Sequence, residues 1–391
     1  MRHYDVAVCG GGIAGVAAAL AAVRRGKRVA LIEKQCVLGG LATSGLIYIY
    51  LPISDDRDVK IAGGLTEELL LRCQEYGPFA VGAKWGGAAN ADCGQPGPRY
   101  QCCFSPAGYE LTLEKMIRES GAELRLETSV IGCRRDGNGR LVEAELFCAA
   151  ERETVSADCF IDATGGAFLL RMAGEKSFQE TNFSNPWLME INDRSDSRYY
   201  FTGDLHIQAL PVPDGEEGRM PQVLSAAELQ EFCRRQYREM RRYYDAMTPE
   251  RRKRCYPVHL PTMPQLRKIA RIDGMAEIRT GEAGLFRSDS VGVAADWRKA
   301  APAWETPYGA LLPKRVRGAL AAGRCINSSG DAWEIFRVIP AAAMTGEAAG
   351  TAAALAVGRN IDPAQLPAAE LQRELAGNGV ILHIPEAHTE R

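Results

Sequence analysis

Gly10 and Gly12 stand between a valine-rich stretch (4–8) and an alanine-rich run (13–25), and Gly15 lies in the first turn of that run. At that spacing each glycine has a separate job. Gly10 allows a tight turn, Gly12 lets a pyrophosphate approach the backbone, and Gly15 lets a helix pack close to a strand. The free N–H groups at the start of that helix then face the phosphates. Glu33 ends a second apolar stretch, 27–33. Its carboxylate suits ribose hydroxyls and repels a 2′-phosphate. The chemistry implied is dinucleotide binding. Three glycines alone fit many loops; the strand–turn–helix–strand unit of about thirty residues around them makes the pattern specific.

A second polar loop follows, with Gly39 and Gly40 ahead of Thr43 and Ser44. A plain nicotinamide domain does not need it, whereas a longer dinucleotide running past the first helix does. Far downstream, 320–326 reads as a strand and 340–357 as a helix built almost wholly from small residues. Gly346 and Gly350 each cost about 1 kcal/mol inside a helix. Something must therefore approach that helix closely. Arg337 directly precedes it and is suited to hold a carboxylate or other polar substrate, or to assist proton transfer. A structural salt bridge explains it equally well. Arg271 and Arg279 are weaker candidates. His206, His259 and Tyr308 are the candidates for general acid–base work. The twelve cysteines show no CxxC or CxxxxC spacing, so electron shuttling through a disulfide is not expected. No Cys/His group has zinc spacing, and no metal is expected.

The elements that must position these groups alternate between strand and helix. A helix over 110–119 stops at Gly121, and strands follow within 122–133, 141–149 and 156–166, with a hairpin turn at Asp136-Gly137. Residues 176–304 differ in texture, being denser in Trp, Tyr, Pro and charge than the rest of the chain. Their basic run, 234–254, reads as a solvated helix, with a nucleic-acid surface as the lesser alternative. The 391 residues suffice for two to three domain-sized units, and a net charge of −2 creates no field for nucleic acid. The most apolar stretch, 341–357, contains Glu347 and falls short of the ~20 residues of a spanning helix. The N-terminal apolar segment is interrupted by glycines and preceded by Asp5, unlike a secretory signal. A cytoplasmic protein without a membrane span is expected.

The chain resembles the FAD-dependent oxidoreductases of the glutathione-reductase-like superfamily, distant relatives of the fumarate reductase and succinate dehydrogenase flavoproteins. DVAVCGGGIAGVAAA, EKQCVLGGLATSGL and FIDATGG carry the likeness at one end. TPYGALLP, AAGRCINSS and FRVIPAAAMTGEAAGTAAALA carry it at the other, and LRKIARIDGM and LFRSDSVGVAADW lie between. The resemblance implies an α/β fold. A Rossmann-like FAD-binding domain of GR2 type would be assembled from 1–58, 106–175 and 305–391. An α+β substrate or cap domain (59–105 and 176–304) would be inserted into it. Gly10, Gly12, Ala14 and Gly15 would meet the pyrophosphate. Glu33 and Lys34 would flank the adenosine ribose, and Val130 would touch adenine. Gly39, Gly40, Ala42 and Thr43 would run toward the flavin. Ala163, Thr164 and Gly165 would pass the adenosine end. Gly323, Arg324 and Asp331 would lie near the ribityl chain and pyrophosphate. Residues 342–346, including Ala342 and Gly346, would face the isoalloxazine.

Three positions depart from the family pattern. Gly166 follows the ATG triplet where relatives usually have Asp. Ala270 stands for an arginine, although Arg267 and Arg271 remain. Asp296-Trp297-Arg298 replaces a pattern that often holds a His. No His follows the Gly39-Gly40 loop, where the fumarate reductase relatives attach flavin, so FAD is expected to be non-covalent. The function implied is hydride transfer between flavin N5 and a small polar organic substrate, with direction open. The expected partners are that substrate and an unspecified electron donor or acceptor; nucleic acid is not expected, and association into a homo-oligomer is left open. A flavin-binding protein in RNA modification or a partner-dependent assembly is the alternative. An NAD-dependent dehydrogenase leaves the C-terminal motif unexplained.

Overall fold

The computed structural model describes residues 2–87, 100–183, 185–193, 200–202, 204–210, 219–220 and 225–386. Strand β1 (Arg2–Cys9) lies parallel to β2 (Val29–Ile32), and helix α1 (Ile13–Val23) connects them. Val6, Ala7, Val8 and Cys9 are all buried. A strand covered on both faces reads as a continuous apolar run rather than an alternating one. The sheet runs Glu123–Arg125, β2, β1, Glu151–Asp162 in parallel. One edge of Glu151–Asp162 then serves two partners. Its first half pairs antiparallel with Leu141–Cys148, which pairs with Ser129–Arg135; its last three residues pair in parallel with Ala319–Ala321.

The structure moves several expected boundaries. The stretch 122–133 holds two strands, broken where Glu127 adopts φ 50°. The strand expected at 156–166 starts at Glu151 and ends at Asp162. The strand expected at 320–326 stops at Ala321, because Gly323 at φ 74° turns the chain into a 3-10 turn. The helix read at 110–119 begins at Pro106, where Ser105 Oγ accepts from the Gly108 N–H (3.2 Å), and ends at Gly121. The hairpin turn is held by Asp136, whose carboxylate accepts from the N–H groups of Asn138 (2.9 Å) and Arg140 (2.8 Å).

The helix Ile339–Gly358 lies against α1. A Cβ at Gly346 would stand 2.2 Å from Ala14 O, and one at Gly350 would stand 2.2 Å from Ala18 O. Glycines four apart share one helix face, so the two backbones touch there. This contact is what the small residues serve along most of the helix.

The middle of the chain forms an antiparallel sheet in the order Tyr200–Thr202, Leu205–Ala209, Trp187–Asn192, Cys255–His259. The helix Ala226–Asp245 starts in a capping box between Ser225 and Glu228 and buries Phe232, Gln236 and Met240 at four-residue intervals. Arg234 faces solvent beside Glu231 (3.0 Å), while Arg235 pairs with Glu239 (3.2 Å) in a mostly buried position. Buried Gln265 ties this region to the N-terminal part by donating to Gly45 O (2.6 Å) and Trp187 O (2.9 Å). The helix Leu65–Arg72 contributes Leu65, Leu69 and Leu70 to the main core.

Candidate functional site

The C-terminal ends of β1, β2, Glu151–Asp162 and Ala319–Ala321 lie side by side. Gly10, Glu33, Ala163 and Gly323 follow within two residues of them, and all four line one cleft of about 240 Å³. Ligands of open α/β sheets bind at this edge. Gly12, Ala14, Lys34, Gly39, Gly40, Ala42, Thr164, Gly165, Arg324, Arg337 and Ala342 line the same cleft. Val130 lines a neighbouring cleft of about 540 Å³. The two clefts adjoin along Gly10, Glu33, Lys34, Thr164 and Phe168, which line both.

The three N-terminal glycines differ in what surrounds them. Gly10 has φ 105°, and a Cβ there would meet Ala163 O at 2.5 Å. At Gly15 a Cβ would stand 1.7 Å from Gly10 O. At Gly12 it would meet nothing within 4 Å, because that face opens into the cleft. Gly12 also begins α1 without a side-chain cap. The first-turn N–H groups of a helix have no partners within the helix, so this end suits an anion. Ile339–Gly358 likewise starts without a side-chain cap, with Pro340 in its first turn and with Ile339 and Ala342 on the cleft wall. Buried Glu33 accepts from the N–H groups of Gly11 (2.6 Å) and Gln35 (2.9 Å). Burial raises its carboxyl above the ordinary value, against the pull of those bonds.

Asp162 pins the turn after its strand. Its Oδ1 accepts from Thr164 N (3.0 Å) and Thr164 Oγ1 (2.7 Å), and its Oδ2 accepts from Leu170 N (2.9 Å). Full burial raises this carboxyl too, with the hydrogen bonds opposing. Arg324 donates to Gly165 O (2.8 Å) and Leu266 O (2.6 Å). Arg337 pairs with Glu334 at 2.6 Å and lies over the Trp297 ring, 5.3 Å from its centroid.

A family model for FAD dependent oxidoreductases matches residues 5–284 and 234–375. The chain belongs to the FAD dependent oxidoreductase family. It is similar in fold to the geranylgeranyl bacteriochlorophyll reductase-like protein of Thermoplasma acidophilum, at TM-score 0.51 and 15% identity over 97% of this chain and 85% of that one. The flavin-dependent brominase Bmp2 matches at TM-score 0.49 and 14% identity, over 96% of this chain and 83% of that one. No curated protein matches the sequence significantly. Its cofactor is FAD, and its fold is the mixed α/β, Rossmann-like fold of FAD-binding proteins.

The cleft fits that cofactor. The open face of Gly12 and the uncapped start of α1 suit a pyrophosphate, and Glu33 offers carboxylate oxygens to a ribose. Other residues singled out in the sequence lie off the cleft lining. Gly15 and Gly346 sit in backbone contacts. Thr43 Oγ1 donates to Leu38 O (2.5 Å), holding the Gly39-Gly40 loop. Asp331 pairs with Arg298 (3.0 Å) and Lys299 (3.3 Å), which hold its carboxyl below the ordinary value. Tyr308 is buried with its hydroxyl donating to Pro363 O (2.9 Å). His206 is buried in the antiparallel sheet, with Nε2 2.8 Å from Asn192 O. His259 is exposed at the end of strand Cys255–His259. Of the four candidates for substrate contact and acid–base work (Arg337, His206, His259 and Tyr308), Arg337 is the one on the described cleft wall.

The departures from the family pattern have local reasons. A Cβ at Gly166 would stand 2.8 Å from the Phe168 ring and 3.0 Å from Ile269, so an Asp there needs a different wall. Ala270 is fully buried. Trp297 supports Arg337 and donates from Nε1 to Glu334 O (3.0 Å). Sequence reasoning missed the apolar wall formed by Leu229, Met263, Pro264, Leu266 and Ile269. Its legible trace was the LRKIARIDGM motif, which contains Leu266 and Ile269 and closely follows Met263 and Pro264.

Proposed function

We propose that this protein is an enzyme that moves a hydride between flavin N5 and a small polar organic substrate. The observation that carries this reading is the course of the cleft. It runs from Glu33, past the opening at Gly12, to the uncapped start of Ile339–Gly358, beside which Arg337 stands. Bound FAD supplies the redox chemistry. The first-turn N–H groups of Ile339–Gly358 oppose negative charge gathered at their end of the cleft. Gly10, Gly12 and Ala14 hold the pyrophosphate, with Gly323 beside it, and Gly15 serves them by letting α1 pack against Gly10. Glu33, Lys34 and Val130 take the adenosine end with Ala163, Thr164 and Gly165. Gly39, Gly40 and Ala42 lead toward Ala342. Arg337 orients the substrate, and Leu229, Met263 and Pro264 exclude water from it.

The same reading divides the chain into a discontinuous FAD-binding part and an inserted substrate part. It places the chain in the glutathione-reductase-like superfamily with FAD held non-covalently. RNA modification rests on the basic run 234–254 alone. Arg234, Arg235, Arg251 and Arg254 each pair with a carboxylate of the same chain, which leaves that alternative the weaker.

The test is anaerobic. The purified protein is mixed with hydroxy acids, sugars, amines and unsaturated acids while the flavin absorbance is followed. Bleaching by a donor, or reoxidation of reduced protein by an acceptor, is expected for one class. A protein that neither carries nor takes up flavin sinks the reading.

A further inference from the structure

Four cations stand together at the Arg337 end of the cleft: Arg267, Lys268, Arg324 and Arg337. Lys268 pairs with Glu180 (3.3 Å) and Glu334 (3.1 Å), and Arg337 shares Glu334 (2.6 Å). The hydrogen bonds of Arg324 and Arg267 run to backbone carbonyls, those of Gly165, Leu266 and Gln265. Among the described residues no carboxylate lies within ion-pair distance of either. Four cations therefore face two carboxylates.

The site is shielded. The side chains of Lys268 and Arg337 are 8% and 15% exposed. Burial, then the charges of Arg337 and Arg324, push Arg267 down to about 9, with Glu334 as the opposing carboxylate. Burial, with Arg337 adding to it, pushes Arg324 down to about 10. Both stay charged at neutral pH and repel one another. Unbalanced buried charge is costly unless an opposite charge enters.

We propose that the substrate carries an oxyanion, a carboxylate or a phosphate, which binds in the cleft between Arg324 and Arg337. Arg324 and Arg337 both line the cleft, and Arg337 lies two residues before Ile339, where the small-residue helix starts. A guanidinium offers paired donors that match both oxygens of such a group. The Trp297 ring, 5.3 Å from the guanidinium, and Glu334, which accepts from its Nε (2.6 Å), restrain that fork. Arg267 acts from behind through its charge. This rests on the flavoenzyme reading above and names the substrate class for it.

The experiment uses the FAD-loaded protein, with succinate and inorganic phosphate as probes at constant ionic strength. Flavin content is read first, from absorbance, and anion binding next, from perturbation of the flavin bands. A saturable perturbation is expected. Arg337→Met should raise the half-saturating concentration at least ~10-fold with FAD retained, and Arg337→Lys should fall between, since it keeps the charge without the fork. Arg267→Met should weaken binding by about 3- to 10-fold through lost charge alone. A yellow protein that responds to neither anion overturns this proposal but not the flavoenzyme reading. So do variants that lose FAD while their remaining loaded fraction responds as the parent does. In that case the arginines neutralise the cofactor's own pyrophosphate. A protein without flavin overturns both readings.

Discussion

Gly12 is the residue at which ligand binding separates most cleanly from folding. Its φ of −67° suits any residue, and a Cβ meets nothing within 4 Å. Gly12→Val should leave the unfolding midpoint of the flavin-free protein within about 0.5 kcal/mol of the parent. It should weaken FAD binding at least ~10-fold, because the branched side chain fills the approach that the glycine leaves open. Flavin titration and denaturant unfolding check the two halves separately.

Glu347 carries a pH dependence at the same scale. It is buried within Ile339–Gly358 and accepts from Leu65 N–H (2.7 Å) at the start of Leu65–Arg72. Burial pushes its carboxyl up to about 7 from an ordinary 4.5, against the Leu65 hydrogen bond and the charges of Arg25 and Arg24. Between those values the folded protein holds a proton that the unfolded chain has released. Stability from this group therefore falls as pH rises through that window and levels off above it, by up to about 3 kcal/mol. Glu347→Gln keeps an acceptor for Leu65 and should flatten the profile, raising stability above pH 7. Thermal melts of both proteins across that range decide it.

At the scale of elements, the contact between α1 and Ile339–Gly358 is made backbone to backbone. Gly350→Ala puts a Cβ 2.2 Å from Ala18 O. Helix propensity favours alanine by about 1 kcal/mol, yet overpacking costs about 1–3 kcal/mol and sometimes more. A net loss is expected, read as a lower urea midpoint. Gly377, the last residue of helix Ala368–Gly377, has nothing within 4 Å of a Cβ. Gly377→Ala should be neutral or gain about 0.5 kcal/mol. Opposite signs for one substitution in two helices would isolate the interhelical contact from propensity. Ser225→Ala breaks the capping box of Ala226–Asp245 and should cost about 1 kcal/mol.

At the scale of the molecule, the lining of one cleft draws on segments from residue 10 to residue 342, and the proposed site takes one cofactor across all of them. Ligand that binds only the folded state adds about 2.7 kcal/mol at a free concentration of one hundred times Kd. Removing FAD should therefore lower the melting temperature, and adding it back should restore the loss in proportion to the logarithm of its concentration. Equal melting curves with and without flavin would contradict binding across these strands.

The sequence by itself determined the units whose causes are local. Gly10, Gly12 and Gly15 ahead of an alanine run identify β1, α1 and β2, since turn geometry and apolar period act over a few residues. Gly121 marks the end of a helix for the same reason, whereas its start at Pro106, capped by Ser105, lies four residues ahead of the expected one. The C-terminal small-residue run showed that something approaches closely, but not what: only the tertiary structure supplies Ala14 and Ala18 as the neighbours of Gly346 and Gly350. Strand ends also depended on long-range pairing, as where Ala319–Ala321 lies beside Phe160–Asp162. His206, His259 and Tyr308 are chemically fit for catalysis, and the fold sets all three apart from the described cleft wall. The meeting of Arg267, Arg324 and Arg337 left no trace in spacing. Charges separated by dozens of residues act on one another only after folding brings them within a few ångströms and removes the water between them.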